Sequence, residues 1–252
     1  MDAPASGLLL PAWDAPATVR ACVTTALWPG VSLPPFAPGN LGDGCGDAPA
    51  AVAANRAALV GEAALPQAPH WLRQVHGTAV HVADHARPAA TPPAADASYT
   101  RAPGAVLAVL TADCLPVLLC SADGREVAAV HAGWRGLAAG VIEAALAHFH
   151  SPPAAVCAWL GPAIGAASYE VGGEVRAAFL AHDADAATAF VPTRPGHWTC
   201  DLYALARRRL AARGVGRVQG GGYDTRRDPR FCSHRRGAPV GRFATLVWLA
   251  PG

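Results

Sequence analysis

A chain of 252 residues, 52% hydrophobic and 15% charged, holds enough apolar mass for one sizeable core and is too apolar to stay disordered. A formal charge of +2 makes no electrostatic case for nucleic acid or an anionic membrane, and no apolar run reaches the ~20 residues that a spanning helix needs. All 20 basic residues are arginine, which excludes a Schiff-base lysine and a Walker-type phosphate lysine.

The seven cysteines are irregularly spaced and include no C-x-x-C pair, which argues against a zinc ribbon or a thioredoxin-like motif. The first residues lack a basic region, and residues 8–10 are too short for a signal core. Free thiols in a reducing cytoplasm are therefore expected.

In chain order, residues 18–28 read as an apolar, β-branched strand and the Gly- and Pro-rich stretch 29–47 as a long loop. The pattern predicts a helix over 49–61, then a loosely alternating strand over 70–82 bearing Gln74-Val75-His76-Gly77. Residues 87–93 form a polar, Pro-rich connection. From 105 to 120 nearly every residue is apolar, which predicts a buried strand, a turn at Thr111-Ala112-Asp113-Cys114 and a second strand. A strand over 126–131 runs into His131-Ala132-Gly133-Trp134-Arg135-Gly136, and a helix over 137–150 stops at Ser151-Pro152-Pro153. After a strand at 156–160 comes the loop Gly161-Pro162-Ala163-Ile164-Gly165. Helices follow at 174–182 and 201–213, the second capped by Asp201 and stopped by Gly214, and strands at 217–222 and 243–249 close the sheet. Strands alternating with helices, with no dividing linker, predict a single layered domain over 1–252, α/β or α+β, with a mixed sheet.

His76, Cys114 and His131 stand out as polar residues in strongly apolar settings beside turns. Strand ends are where α/β folds collect functional groups. Imidazole and thiolate are the donors zinc prefers, and three protein ligands leave a fourth position for water. Each residue also has an ordinary structural reading, a core thiol or a hydrogen-bonded histidine, and spacing does not decide between them.

The loop at 131–136 combines two glycines, a following helix and Arg135, a setting for an oxyanion or else a plain turn with an exposed arginine. Residues 231–236, with Gly241-Arg242, gather hydroxyl and guanidinium groups suited to phosphate or carboxylate, or a solvated basic loop. Arg207-Arg208-Arg209 reads as a solvated helix face, His81 and His85 as neighbours on one helix face, and His148-Phe149-His150 as an exposed helix end.

Gly39-Asn40-Leu41-Gly42, Asn55-Arg56, Gln74–Gly77, Thr111–Pro116, His131–Gly136, Gly161–Gly165 and Ser233–Arg236 run in order across nearly the whole chain. Together the set resembles the YfiH-like family, once called laccase-domain or polyphenol oxidoreductase proteins. The resemblance implies a layered α/β fold like the catalytic domain of cytotoxic necrotizing factor toxins, and zinc held by His76, Cys114 and His131. It implies phosphorolysis of adenosine, inosine and methylthioadenosine together with deamination of adenosine, so that purine nucleoside and phosphate are the partners. Asp113 and Arg135 become candidate catalytic residues, and Asn40, Gln74, Ser233, Arg235 and Arg236 candidate substrate contacts. One departure is Asp224-Thr225, where the family often carries Cys-Thr.

Other readings stay open. A copper oxidase of phenols would want a weak axial methionine or several His-x-His pairs, yet the chain offers only Met1 and the pair His148/His150. Cys114 and His131 could instead form a metal-free nucleophile and base in an amide hydrolase that edits peptidoglycan precursors, or the site could be vestigial in a binding protein.

Overall fold

The computed structural model describes residues 7–83 and 87–251. Its first half comprises β1 (Leu8–Leu9), β2 (Val19–Thr24), α1 (Pro49–Glu62), β3 (Val80–Val82), β4 (Ala97–Thr100), β5 (Leu107–Thr111), β6 (Leu115–Ser121) and β7 (Val127–Ala132). Next come α2 (Trp134–Ala139), α3 (Val141–Leu146), β8 (Val156–Leu160), β9 (Glu170–Gly172) and α4 (Gly173–Leu180). The chain ends with β10 (Phe190–Arg194), β11 (His197–Cys200), α5 (Leu202–Ala212), β12 (Arg217–Gly220) and β13 (Phe243–Leu249).

Alternate side chains of the central strands enter different cores, and this period of two builds the layers. In β13, Phe243, Val247 and Leu249 face one cluster, while Ala244, Leu246 and Trp248 face another with Leu59 of α1. In β6, Leu118 and Cys120 join the first of these, and Leu115, Val117 and Leu119 pack with residues of α2 to α5. The result is α1, an antiparallel sheet β1-β2-β13-β5, a mixed sheet β12-β8-β6-β7-β4-β3, and then the remaining helices. A third sheet, β10-β11-β9, adds an antiparallel arm on the helical side. Among the described residues no helix is long and apolar enough to cross a membrane.

The mixed α/β class read from the sequence holds, with its strands divided over three sheets. The two strands foreseen within 105–120 lie in different sheets, so the turn between them bridges the sandwich. The strand expected over 70–82 shrinks to β3; His70 and Arg73 make only isolated bridges, and Gln74 to Gly77 form a loop. His81 lies on β3, not on a helix, and His85 lies outside the described residues.

The helix expected over 137–150 breaks at Gly140, whose φ of +99° is left-handed. Arg209 fills that break, donating to Glu143 at 2.7 Å and to the Ala138 carbonyl. This corrects the solvated reading of the arginine run: Arg207 donates to the carbonyls of Val218 and Gly220, and Arg208 to Asp183. Asp201 does cap α5, accepting from the Ala204 N–H at 3.0 Å.

Candidate metal centre and its cleft

Strand register brings the key residues together. β6 and β7 pair with Leu115 opposite Ala132, so Cys114 sits one step beyond, beside Gly133. β4 and β7 pair with Ala97 opposite Val130, which sets Asp96 beside His131. By strand alternation Asp96 and His131 point to the same face, into the end of the gap between the two large sheets.

Asp96 organises two elements at once. Its Oδ1 accepts from His131 Nδ1 at 2.8 Å and from the His76 N–H at 2.9 Å. Its Oδ2 accepts the N–H groups of Gly77 at 2.7 Å and Val75 at 3.1 Å. A carboxylate only accepts, so Nδ1 of His131 carries the proton and Nε2 is left to face the site. The three backbone bonds hold His76 at a φ of +61°, a strained conformation for a residue with a Cβ. Asp96 is fully buried and was not singled out from sequence; its one signal is an acid set among alanines at Ala95-Asp96-Ala97.

The donor atoms of His76, Cys114 and His131 all lie within 4.8 Å of one another, and Cys114 Sγ is 3.8 Å from His76 Nε2. Tetrahedral zinc, with bonds of ~2.0–2.3 Å, spaces its donors about 3.5 Å apart, so this set fits a metal ion. A Cβ on Gly133 would come 2.8 Å from His76 Cδ2 and 3.1 Å from Cys114 Sγ, so only glycine leaves the donors room to converge. Among the described residues this is the one group of three or more His, Cys, Asp or Glu positioned to hold a metal.

Burial alone pushes a thiol up, as at Cys22, which rises to about 12. Cys114 goes the other way: desolvation is outweighed by the charge and hydrogen bonds of His131 and His76, which pull it down to about 6. Desolvation would favour neutral His131, yet the Cys114 thiolate and Asp96 raise it to about 9. Without an ion, a thiolate–imidazolium pair therefore spans that interval. Iodoacetamide labelling of Cys114 in chelator-treated protein should be half-maximal near pH 6, where an ordinary thiol needs about 8.5, and zinc should suppress it. Site-resolved mass spectrometry at a series of pH values checks this; a midpoint above 8 would refute the pairing.

The donors open into a cleft of about 540 Å³ walled by Leu110, Trp134, Ile164, Tyr169 and the glycine-rich loop around Asp43 and Cys45. That size lies within the ~300–1,000 Å³ usual for small-molecule sites. The sequence candidates divide around it. Gln74 lines the cleft, its amide donating to the Leu110 carbonyl at 2.8 Å and accepting from the Leu110 N–H at 2.7 Å. Arg235 also lines it, its guanidinium 4.9 Å over the Tyr169 ring.

Asp113, at a φ of +96°, lines the cleft but has both oxygens engaged. They accept from the Thr225 hydroxyl at 2.6 Å and the Arg235 N–H at 2.8 Å. Its role is to fix the turn before Cys114 and the loop carrying Arg235.

Three expected substrate contacts stand elsewhere. Arg236 is spent on the carbonyls of Arg226, Phe231, Thr225 and Asp228. Ser233 is buried and accepts from the Arg236 N–H at 3.2 Å. Asn40 is buried too, donating to Asp47 and Gly42 while accepting from the N–H groups of Gly42 and Arg242. With Asn55 it fixes the long loop whose residues 42–45 form one wall.

Arg135 lies over Trp134 at 4.4 Å and faces a smaller depression next to the cleft. The six-residue α2, of which it is the second residue, is too short to supply much of a dipole. Asp224 lines neither: it accepts from the Ser168 hydroxyl at 2.5 Å and the Gly165 N–H at 3.2 Å, steadying the loop after β8.

The pattern of the multi-copper polyphenol oxidoreductase laccase family matches residues 20–250. The chain belongs to that family. It is 51% identical to a Xylella fastidiosa protein named purine nucleoside phosphorylase, over 97% of both chains. With the Escherichia coli purine nucleoside phosphorylase YfiH it shares 49% identity over 97% of this chain and 99% of that one. A Neisseria meningitidis crystal structure superposes with a TM-score of 0.92 at 43% identity, covering 97% of this chain and 100% of the other. The YfiH structure from Bacillus licheniformis gives 0.85 at 27% identity, over 92% of each chain. The family's description speaks of several coppers, whereas one three-donor group is present among the described residues.

Proposed function

We propose that the chain is a zinc-dependent, cytoplasmic purine nucleoside phosphorylase acting on adenosine, inosine and methylthioadenosine, with adenosine deaminase activity. The observation that carries this reading is the convergence of His76, Cys114 and His131 on a nucleoside-sized cleft, in a chain about half identical to proteins named for that reaction. An N₂S donor set, with no methionine among the described residues, suits zinc better than an electron-transfer copper.

Phosphorolysis forms a bond from a phosphate oxygen to C1′ as the C1′–N9 bond breaks. The electron pair leaves with the purine, which takes up a proton, so the products are free base and ribose 1-phosphate. The apolar wall, with Trp134 and Tyr169 in it, suits a purine ring, and Arg235 brings cationic charge to the rim. Asp113 acts through Arg235 and Cys114, positioning both. Zinc, when bound, supplies Lewis acidity and makes water acidic enough to ionise near pH 7, which is what deamination at C6 requires.

Incubating zinc-loaded protein with adenosine, with and without phosphate, tests the reading. Adenine and ribose 1-phosphate should appear only with phosphate, and inosine in both samples. No change in either would refute it.

A second reading draws on the chain Asp96–His131–Cys114, which has the order of an orienting acid, a base and a lowered-pKa thiol. It makes the protein a metal-independent amide hydrolase in which His76 has no chemical part.

A further inference from the structure

Arg135 does not line the cleft at the metal centre, and the place it does line carries a site of its own. Beside the cleft lies a depression of about 340 Å³ to which three arginines come from separate elements: Arg135 on α2, Arg194 at the end of β10, and Arg235. Its boundary with the cleft is shared, since Trp134, Tyr169 and Arg235 line both. We infer that this depression is the phosphate subsite, taking a tetrahedral phosphate group while the cleft takes the nucleoside; this rests on the phosphorolytic reading.

Two of the guanidiniums are held in place without being neutralised. Among the described residues neither Arg135 nor Arg235 has a carboxylate within 4.0 Å. Aromatic faces position them instead: Trp134 at 4.4 Å from Arg135 and Tyr169 at 4.9 Å from Arg235, which also donates one N–H to the Glu170 carbonyl at 2.9 Å. A guanidinium stacked on a ring keeps its in-plane N–H groups available for oxyanions, in the forked geometry that phosphate accepts.

The hairpin between β10 and β11 completes the far wall. Arg194 pairs with Glu170 at 2.9 Å, and the Thr193 hydroxyl donates to the same carboxylate at 2.7 Å, so that the acid's charge is largely matched. His197 approaches the Pro195 carbonyl through Nδ1 at 3.1 Å, which leaves Nε2 for a ligand. Glu174 is the other acid in the lining, so three arginines face two glutamates, leaving an excess of positive charge for an anion to meet. Neither Arg194 nor His197 belongs to a motif noticed in the sequence. The shared wall of Trp134, Tyr169 and Arg235 then marks where C1′ would lie between phosphate and base.

Equilibrium dialysis with radiolabelled inorganic phosphate tests the assignment on zinc-loaded, full-length protein. Arg135→Gln, Arg194→Gln and the double variant are compared with Arg125→Gln, a control on the exposed turn at the opposite end of β6 and β7. Each lost charge-assisted contact should weaken phosphate binding about 10-fold, and the double variant about 100-fold, with melting temperature and zinc content unchanged. In turnover, the phosphate KM should rise in step while kcat with saturating phosphate holds. Ribose 1-phosphate serves as the second probe: tighter binding than inorganic phosphate, lost in the same variants, marks a site for the esterified group, and equal binding marks the acceptor's site.

Unchanged phosphate binding in a folded double variant would overturn the subsite even if phosphorolysis proceeds. Phosphate binding that disappears in the variants, in a protein that cleaves no nucleoside, would keep the subsite and remove the phosphorylase reading.

Discussion

Replacing Asp96 with alanine should lower zinc affinity by about 10- to 100-fold and destabilise the protein by roughly 3–5 kcal/mol. Two separate losses combine. His131 would lose the acceptor that fixes its tautomer and ring direction, so its Nε2 would no longer be held toward the other donors. The N–H groups of Val75, His76 and Gly77 would lose their shared acceptor, leaving the left-handed turn at His76 unsupported. Asp96→Asn keeps an acceptor oxygen but introduces an N–H₂ group facing backbone donors, so it should fall between wild type and alanine.

The Asp96 carboxyl sits below its ordinary range: desolvation opposes ionisation, but the hydrogen bond and charge of His131 and the N–H groups of Gly77 and His76 prevail. A depressed carboxyl pKa means that its stabilisation is complete above about pH 4 and disappears as pH falls through the lower folded value. Competition with a chromophoric chelator reads zinc affinity, and thermal melts of metal-free protein at pH 7 read stability separately. Wild-type zinc affinity in Asp96→Ala would reduce the residue to a structural part and remove its claim on the metal centre.

The three candidate donors stood out in the sequence because each sits beside a glycine or a turn in an otherwise apolar run, and because their motifs occur in a known order. What brings them together was not. The register of β6 on β7, and of β4 on β7, depends on pairings between distant segments that no local pattern records. Asp96 was missed for the same reason, since it gains meaning only opposite His131.

The expected contacts that stand away from the cleft have a different cause. Asn40, Ser233 and Arg236 occupy polar, glycine-rich segments that look like ligand loops, and long irregular loops must satisfy their own backbone groups. Arg236 on four carbonyls and Asn40 between Gly42, Asp47 and Arg242 do that work. Gln74 and Arg235 carry the same chemistry yet reach the cleft, and composition does not separate the two cases. The short strands β4 and β9 to β11 went unseen because runs of three to five residues hold too few alternations to stand out.

His76→Asn should abolish zinc-dependent turnover while leaving the fold intact, and it separates the two catalytic readings. Asparagine tolerates the left-handed φ of +61° at this position better than most residues, so the backbone turn and its three bonds to Asp96 should survive. The side chain, however, no longer offers an imidazole to the ion. With one of three donors gone, zinc affinity should fall about 100-fold or more, and nucleoside cleavage with it. In a metal-independent mechanism, by contrast, Cys114, His131 and Asp96 remain in place and His76 contributes only its proximity, 3.8 Å from the thiol. Losing that neighbour would raise the thiol's pKa somewhat and slow the enzyme by a few-fold, without removing activity. The decisive measurement is turnover of adenosine and of an amide substrate, together with bound zinc, on the same preparation before and after dialysis against chelator. Activity that persists in zinc-free His76→Asn would eliminate the metal from the mechanism and make Cys114 the nucleophile.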